Sequence, residues 1–116
     1  MLDIFHNEPE IRTFAPGDYL FRQGEDPVHH MFAILEGHVE IDRDGRVLAE
    51  LKPTDLVGEM ALIDAQPRSA SAKALTAVRA AVVTEKRFLF LVQQHPSFSL
   101  AMLRMLTQRL RANLES

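Results

Sequence analysis

Cysteine and tryptophan are absent from the 116-residue sequence, which contains a single tyrosine. Without cysteine the chain can form neither a disulfide framework nor a thiolate metal site, and this is compatible with a reducing cytoplasm. Long apolar runs are also absent, since the longest strongly apolar stretch, Phe88 to Val92, is far too short to cross a bilayer. No positively charged start precedes an apolar segment, so no signal peptide is predicted. We therefore expect a cytoplasmic location and no membrane segment.

Internal repeats and low-complexity tracts are absent as well, and the length is typical of one domain, residues 1–116. The net charge of −3 is unevenly distributed: residues 1–66 carry 5 Arg/Lys against 14 Asp/Glu, and residues 67–116 carry 8 against 2. This asymmetry is compatible with acidic, solvated strand loops followed by a basic terminal helix, or with an acidic body that faces a basic partner surface. It lacks the concentrated basic face typical of nucleic-acid binding.

Short strands separated by glycine-containing turns are predicted from about residue 10 to 85. The run 31–35, Met-Phe-Ala-Ile-Leu, is apolar throughout and is typical of an interior strand. The run 38–42 alternates, which places Val39 and Ile41 on its inner face. Asp44-Gly45 is among the strongest short-range hairpin signals. Many short strands at this spacing predict a sandwich or barrel.

Two helices are predicted from about residue 86 to 115, where the apolar period changes to about 3.6 residues. The first must end near His95 because Pro96 follows, and Ser97 is a candidate N-cap or pre-cap residue for the second. The second helix has a stripe at 3-4-3-4 spacing, formed by Leu100, Leu103, Thr107, Leu110 and Leu114. Its apolar surface is broader than one partner requires. This helix therefore packs on its own domain alone, or meets a second subunit as well.

The stretch from Gly58 to Ala74 has the features of a site for a small anion. Gly58 allows a positive φ and a close backbone approach. The run from Glu59 to Ile63 makes little more than one helical turn, whose first N–H groups attract a phosphate or carboxylate. Pro67 breaks the helix. Arg68 follows at once, with a planar, permanently charged group suited to phosphate oxygens.

This stretch also carries a family resemblance. Gly-Glu-Met-Ala-Leu at 58–62 and Pro-Arg-Ser-Ala at 67–70, at this gapless spacing, closely resemble the phosphate-binding cassette of cyclic nucleotide-binding domains. Such domains are found in bacterial catabolite-activator-type regulators, in the regulatory subunit of cyclic-AMP-dependent protein kinase and in cyclic-nucleotide-gated channels. Val57 departs from the family pattern, which usually has Phe before the Gly-Glu pair.

Further positions match the family pattern in order, so the resemblance covers nearly the whole chain; they are Phe14, Gly17, Leu20, Phe21, Gln23, Gly24, Glu25, Ile34, Leu35, Glu36, Gly37 and Val39. It implies a mainly β fold with flanking α-helices. The core would be an eight-stranded double-stranded β-helix, a jelly-roll-like β-roll spanning about residues 10–85. A short N-terminal helix, a short phosphate-binding helix and two C-terminal helices would accompany it.

The resemblance also implies a ligand site. Its members would be Gly58, Glu59, Met60, Ala61, Arg68, Ser69 and Ala70. Arg68 and the backbone N–H groups of Met60, Ala61 and Leu62 would bind the phosphate. In the family, the residue at Glu59 accepts from the ribose 2′-OH. Ser69-Ala70 resembles bacterial cyclic-AMP receptors and favours cyclic AMP, although a hydroxyl there could also bond a guanine.

The cassette contains no obvious group to cover the base, and the chain has few aromatic residues. Cover would have to come from the second helix, whose polar candidates for capping the base are Arg109, Arg111 and Asn113. No cofactor besides the cyclic nucleotide is implied. In the family this helical region closes over bound nucleotide and often dimerises.

The expected function is therefore non-enzymatic sensing of cyclic AMP, or less favourably cyclic GMP, with movement of the C-terminal helix as the signal. Transcription regulators of the family need a helix-turn-helix module after this helix, and the sequence ends at Ser116, so no DNA-binding module is expected in it. A homodimer through the C-terminal helix is compatible with the stripe. No sequence feature identifies the downstream effector.

Two alternatives compete with this interpretation. A degenerate family member would bind no nucleotide and would serve as an interaction or dimerisation module. A cupin-like metal enzyme would need two or three His and a Glu around one metal. His29 and His30 are adjacent and would point to opposite faces of a strand, and the remaining histidines, His6, His38 and His95, have no ligand spacing.

Overall fold

Eight β-strands form two antiparallel sheets in the computed structural model, which describes residues 2–26, 28, 30–63 and 66–115. The strands are β1 (Ile11–Phe14), β2 (Tyr19–Phe21), β3 (His30–Glu36), β4 (Val39–Arg43), β5 (Arg46–Leu51), β6 (Leu56–Val57), β7 (Ser71–Ala74) and β8 (Val78–Thr84). Sheet one has the order β1-β8-β3-β6, and sheet two has the order β2-β7-β4-β5. The predicted eight-stranded β-roll is confirmed.

The space between the two sheets is filled by apolar side chains from both. Phe32 of β3 lies at its centre, fully buried, with Phe21 of β2 stacked at 6.3 Å between ring centroids. Phe14 meets the same ring edge-on at 5.9 Å. Val39 is fully buried in this core and Ile41 packs against it half-buried, as the alternation along β4 predicts.

A second core covers the outer face of sheet one. It joins β3 and β8 to a 3-10 helix (Leu2–Phe5) and to α2 (Glu85–Gln94) and α3 (Pro96–Glu115). Phe98 of α3 meets Phe5 and Phe88 edge-on, with centroids 5.5 and 5.7 Å apart. Sheet one is thus buried on both faces, which explains why residues 31–35 are apolar without alternation.

The two C-terminal helices are present, but the predicted start of the second is wrong. The Thr84 side chain caps α2 by accepting from the Arg87 N–H at 3.2 Å, and α2 ends before His95. Helix α3 then begins at Pro96, so Ser97 lies inside its first turn and is not a cap. Proline suits the first helical position because its missing N–H would have no intrahelical partner there.

The outer faces of α3 and α2 differ from their packed faces. Phe98 and Met102 of α3 are buried, and Met105 and Leu106 are half-buried. Three leucines of the predicted stripe point outward with 50–60% of their surface exposed: Leu100, Leu103 and Leu110. Packing of one face on the domain is confirmed, and a second subunit on the other stays a prediction. None of the helices that the structure describes is long and apolar enough to span a membrane.

The β4–β5 hairpin has the two-residue loop that Asp44-Gly45 predicts. Both residues have positive φ, 54° and 79°, as a type I′ turn requires. Gln23 holds the loop in place, because its side chain donates to the Asp44 carboxylate at 2.9 Å and accepts from the Asp44 N–H at 2.9 Å. Strand β5 pairs with β4 alone and lies at the edge of sheet two.

A tight turn at Lys52–Asp55 directs the chain into β6 and then into the cassette. The Asp55 N–H donates to the Lys52 carbonyl at 3.0 Å, and Pro53 occupies the second position. Thr54 occupies the third position with φ of 84°, which a type II turn requires and a β-branched residue disfavours. The turn bonds β3 through the Thr54 N–H and the Asp55 carbonyl, so sheet pairing maintains this conformation.

We expect Thr54→Gly to stabilise the fold, because glycine adopts this φ without strain. Removing strain of about 1–3 kcal/mol outweighs the entropic cost of glycine, about 0.5–1 kcal/mol, for a net gain of about 1 kcal/mol. Urea unfolding measures the change. Thr54→Ala, which loses the β-branch but keeps the Cβ, is the matched control and should lie between the two. A lower unfolding free energy for Thr54→Gly would contradict the strain at this turn.

Candidate functional site

A cavity of about 360 Å³ lies where the cassette, the β4–β5 hairpin and α3 meet. Its lining includes six of the seven residues that the resemblance implied: Gly58, Glu59, Met60, Arg68, Ser69 and Ala70. The seventh, Ala61, lies in the short helix α1 (Met60–Ile63), and its side chain is outside the described part. The fold therefore brings the two ends of the cassette, ten residues apart at Gly58 and Arg68, to one wall.

Arg68 is buried at this wall, with 6% of its surface exposed. Its guanidinium donates to the Gly58 carbonyl at 3.1 Å and to the His30 carbonyl at 3.0 Å, and it lies 4.1 Å from the centre of the Phe21 ring. Its backbone is paired on both sides, since the Arg68 N–H donates to the Glu25 carbonyl and the Gly24 N–H donates to the Arg68 carbonyl. The cation is therefore held in one position.

Burial lowers the pKa of the Arg68 guanidinium, while Glu25 and Glu59 act in the opposite direction. Arginine stays protonated despite such a shift. The direction means that burial disfavours the cation, and an anion that entered the cavity would offset this cost.

Glycine is required at position 58 for two reasons. Its φ of +79° is unfavourable for other residues, and a Cβ added there would lie 2.5 Å from Nη1 of Arg68 and 3.0 Å from Cε2 of Phe21. A larger residue at position 58 would displace the Arg68 guanidinium, which donates to the carbonyl of that same residue.

Glu59 is also buried, at 6% exposure, and its carboxylate pairs with Arg109 of α3 at 2.5 Å. The second Arg109 nitrogen, Nη2, donates to the Leu56 carbonyl at 2.6 Å. One side chain therefore fastens α3 to both β6 and the cassette. This ion pair was not predicted, because its partners lie 50 residues apart in the sequence.

Helix α1 forms a single turn, and part of its predicted anion-binding role is wrong. The Leu62 N–H donates to the Glu59 carbonyl at 3.0 Å, so it is already used within the turn. The N–H groups of Met60 and Ala61 stay predicted donors. The Met60 side chain lines the cavity with 52% of its surface exposed.

The three candidates for capping the base have different positions. Arg109 lines the cavity, but its guanidinium bonds Glu59 and Leu56. Arg111 instead lies beside a separate groove on the outward face of α3, with Leu100 and Leu103, and this placement removes it from the cassette cavity. The side chain of Asn113 is outside the described residues.

Sequence reasoning missed the wall opposite the cassette. The β4–β5 hairpin contributes four apolar residues to the cavity, Ile41, Leu48, Ala49 and Leu51. The hairpin therefore supplies apolar surface that the sequence analysis did not consider, and covering of the base by the terminal helix stays a prediction. Arg43, at the end of β4, also lines the cavity, and its Nε donates to the Ser69 carbonyl at 3.0 Å.

The described residues give no support to the alternative of a cupin-like metal enzyme. Among the residues that the structure describes, no group of three or more His, Cys, Asp or Glu could bind a metal ion. His30 packs edge-on against Phe32 at 5.1 Å, and burial, with Arg68 nearby, lowers its pKa. His29 lies outside the described residues.

Known proteins are similar to this chain in sequence and architecture. A CRP-like cAMP-activated global transcriptional regulator of Mycobacterium tuberculosis is 35% identical over 103 residues, which cover 84% of this chain and 46% of that protein. The Thermus thermophilus Catabolite Activator Protein structure has a TM-score of 0.81 and 33% identity, covering 91% of this chain and 52% of that one. This chain therefore spans about half the length of these regulators.

A further structure, described as part of a cyclic-GMP-dependent signalling pathway that regulates bacterial phytopathogenesis, has a TM-score of 0.80 and 28% identity. It covers 96% of this chain and 91% of that one. The model of the cyclic nucleotide-binding domain family matches residues 11–95, from the start of β1 to the residue after α2. This chain belongs to the cyclic nucleotide-binding domain family.

Proposed function

We propose that this chain is a non-enzymatic sensor that binds a cyclic nucleotide in the cavity between the cassette and the β4–β5 hairpin. One observation carries the proposal: Arg68 is buried at the wall of a cavity whose lining also contains Glu59. A cation for the phosphate and a carboxylate for a sugar hydroxyl thus face the same space. The apolar residues of β4 and β5 supply a surface for the base.

The phosphate is assigned to Arg68 on electrostatic grounds. A buried guanidinium is disfavoured by desolvation, and a cyclic phosphodiester carries one negative charge that would offset it. The lining also contains Arg43 and Arg109, with Glu59 as its one carboxylate among the described residues. This excess of positive charge favours an anionic ligand over a neutral one.

The ribose is assigned to Glu59. A carboxylate repels phosphate but accepts strongly from a hydroxyl. Arg109 occupies Oε1 of Glu59, and a carboxylate has about four lone-pair sites. Glu59 can therefore accept from the ribose 2′-OH while it stays paired with Arg109.

The base is less narrowly defined by the comparisons. The mycobacterial relative is described as activated by cyclic AMP, and one similar structure as part of a cyclic-GMP pathway. Ser69 followed by Ala70 favours cyclic AMP by resemblance. A degenerate, nucleotide-free module is the second candidate, and the intact cassette at Gly58, Glu59 and Arg68 argues against it.

Arg68→Leu should lower the affinity for cyclic AMP and cyclic GMP by about 10- to 100-fold, because it removes a charged hydrogen bond worth about 1.5–3 kcal/mol. Isothermal titration calorimetry measures both affinities. Arg79→Leu is the control, since Arg79 is exposed and pairs with Glu36 outside the cavity. Circular dichroism verifies the fold of each variant. Wild-type affinity in a folded Arg68→Leu protein would show that the ligand binds elsewhere.

We further propose that α3 carries the signal. Arg109 fastens α3 to the cassette, so a ligand between these two elements changes the stability of their contact. A ligand shifts such an equilibrium only through contacts that differ between the docked and undocked positions. The ribose bond to Glu59 would supply such a contact, since it fixes the carboxylate to which Arg109 binds.

Amide hydrogen exchange between Leu103 and Leu110 should slow when saturating cyclic nucleotide is added, because the docked position of α3 is stabilised. In Arg109→Leu the slowing should be lost while the β-roll still exchanges slowly. Arg104→Leu, on the same helix but outside the cassette cavity, is the matched control and should respond like wild type. Exchange that is indifferent to ligand in the wild-type chain would rule out this signalling role.

The outward face of α3 is proposed as the seam of a homodimer. Its exposed leucines, Leu100, Leu103 and Leu110, recur along one side of the helix, and the first two border a groove with Thr107. Self-association would bury them, as in an a/d seam.

Sedimentation velocity at micromolar concentration should show a dimer. Leu103→Lys should convert it to a monomer, because the charge would be buried in the seam. Leu89→Lys on α2, with 58% exposure, is the control for a surface charge at a similarly exposed leucine. If the wild-type chain sediments as a monomer, the proposed dimer is contradicted, and the proposal that the chain binds a cyclic nucleotide is unaffected.

A further inference from the structure

We infer that Arg43 reads the edge of the base and makes the cavity selective for guanine over adenine. The inference rests on the proposed function, since it names the base that the same cavity would take. Arg68, Glu59 and Arg109 have roles in the proposed site, which leaves Arg43 as the remaining charged residue of the described lining.

The position of Arg43 is fixed by the cassette itself. Its Nε donates to the Ser69 carbonyl at 3.0 Å, and Ser69 directly follows Arg68, the residue proposed to bind the phosphate. Among the described residues Arg43 forms one hydrogen bond, from Nε to the Ser69 carbonyl, so its terminal nitrogens can donate to a ligand. The loop behind it is fixed as well, because Gln23 bonds Asp44 twice.

Arg43 also lies beside the apolar surface proposed for the base. It belongs to the same hairpin as Ile41 and Leu48, and all three line the cavity. A purine packed on that surface would present its polar edge to the neighbouring guanidinium. The edge contact and the packing contact would then come from one rigid hairpin.

The chemistry of a guanidinium selects between the purines. Guanine presents O6 and N7, two adjacent acceptors that a planar guanidinium can bind in bidentate fashion. Adenine presents N7 with an N6 amino donor, and arginine has no acceptor for that donor. Arg43 therefore opposes the cyclic AMP preference drawn from Ser69-Ala70. The hydrogen-bonding groups of the cavity favour cyclic GMP.

The test is isothermal titration of the full chain with cyclic GMP, cyclic AMP and cyclic IMP. Cyclic IMP retains O6 and N7 but lacks the 2-amino group, so it separates reading by Arg43 from a bond between Ser69 and that amino group. We expect wild type to bind cyclic GMP and cyclic IMP about 10- to 100-fold more tightly than cyclic AMP. Arg43→Leu should abolish this gap, with less than about a threefold change for cyclic AMP.

Two further variants sharpen the test. Arg43→Lys keeps the charge but loses the planar guanidinium. Its preference for cyclic GMP over cyclic AMP, expressed as the logarithm of the affinity ratio, should be less than half that of wild type. Arg46→Leu removes an arginine from the same hairpin that does not line the cavity, and it should leave all three affinities unchanged.

Binding without a preference for cyclic GMP and cyclic IMP would overturn the assignment of Arg43 while leaving the proposed function intact. Equal losses for all three nucleotides in Arg43→Leu would also overturn it, since Arg43 would then support the cassette through Ser69. Absence of binding by every nucleotide would overturn the proposed function, and the assignment with it.

Discussion

The buried guanidinium of Arg68 is the interaction on which the geometry of the site depends. A cation in the interior is tolerated only where acceptors surround it, because its desolvation is costly. Here the acceptors are main-chain carbonyls of β3 and of the residue after β6, and the ring beneath it comes from β2. These strands belong to both sheets. The cassette therefore forms only when the two sheets are correctly packed, and glycine at position 58 is the condition for that contact.

The charges around the cavity have distinct consequences. Arg68 donates to two main-chain carbonyls and packs on the Phe21 ring, which places its guanidinium at the wall of the cavity. Arg109 forms an ion pair with Glu59, and this pair attaches α3 to the cassette. Arg43 donates to the neutral Ser69 carbonyl and lines the cavity. The three arginines thus have different proposed roles. Arg68 binds the anion, Arg109 attaches α3 to the cassette, and Arg43, in our inference, selects the base.

The two sheets differ in how they are covered, and this difference explains how α3 comes to lie beside the proposed ligand cavity. Sheet one is covered on its outer face by the helices, whereas the edge strand β5 of sheet two is exposed along most of its length. Helix α3 packs on the covered face as far as Leu106 and reaches the cassette at Arg109, about one turn later. The cavity is therefore bounded by the β4–β5 hairpin on the sheet side and by α3, which Arg109 attaches to the cassette and to β6.

The sequence by itself determined the features that depend on neighbouring residues. Asp44-Gly45 predicted its hairpin because a two-residue turn with positive φ values is a local requirement. The apolar run at 31–35 predicted an interior strand, and the resemblance of residues 58–62 and 67–70 to the family motif placed the cassette. Local signals failed at Ser97, because Pro96 can itself begin a helix, and at Leu62, whose N–H is used inside its own turn.

Only the tertiary structure decided which distant side chains share the cavity. The Arg109–Glu59 pair joins residues 50 positions apart, and the Arg43 bond to Ser69 spans 26. No periodicity or spacing encodes such contacts, because they depend on how the two sheets and α3 pack against each other. The apolar wall of β4 and β5 was missed for the same reason: Leu48 is 47% exposed, and it lines a cavity only because the cassette lies opposite it.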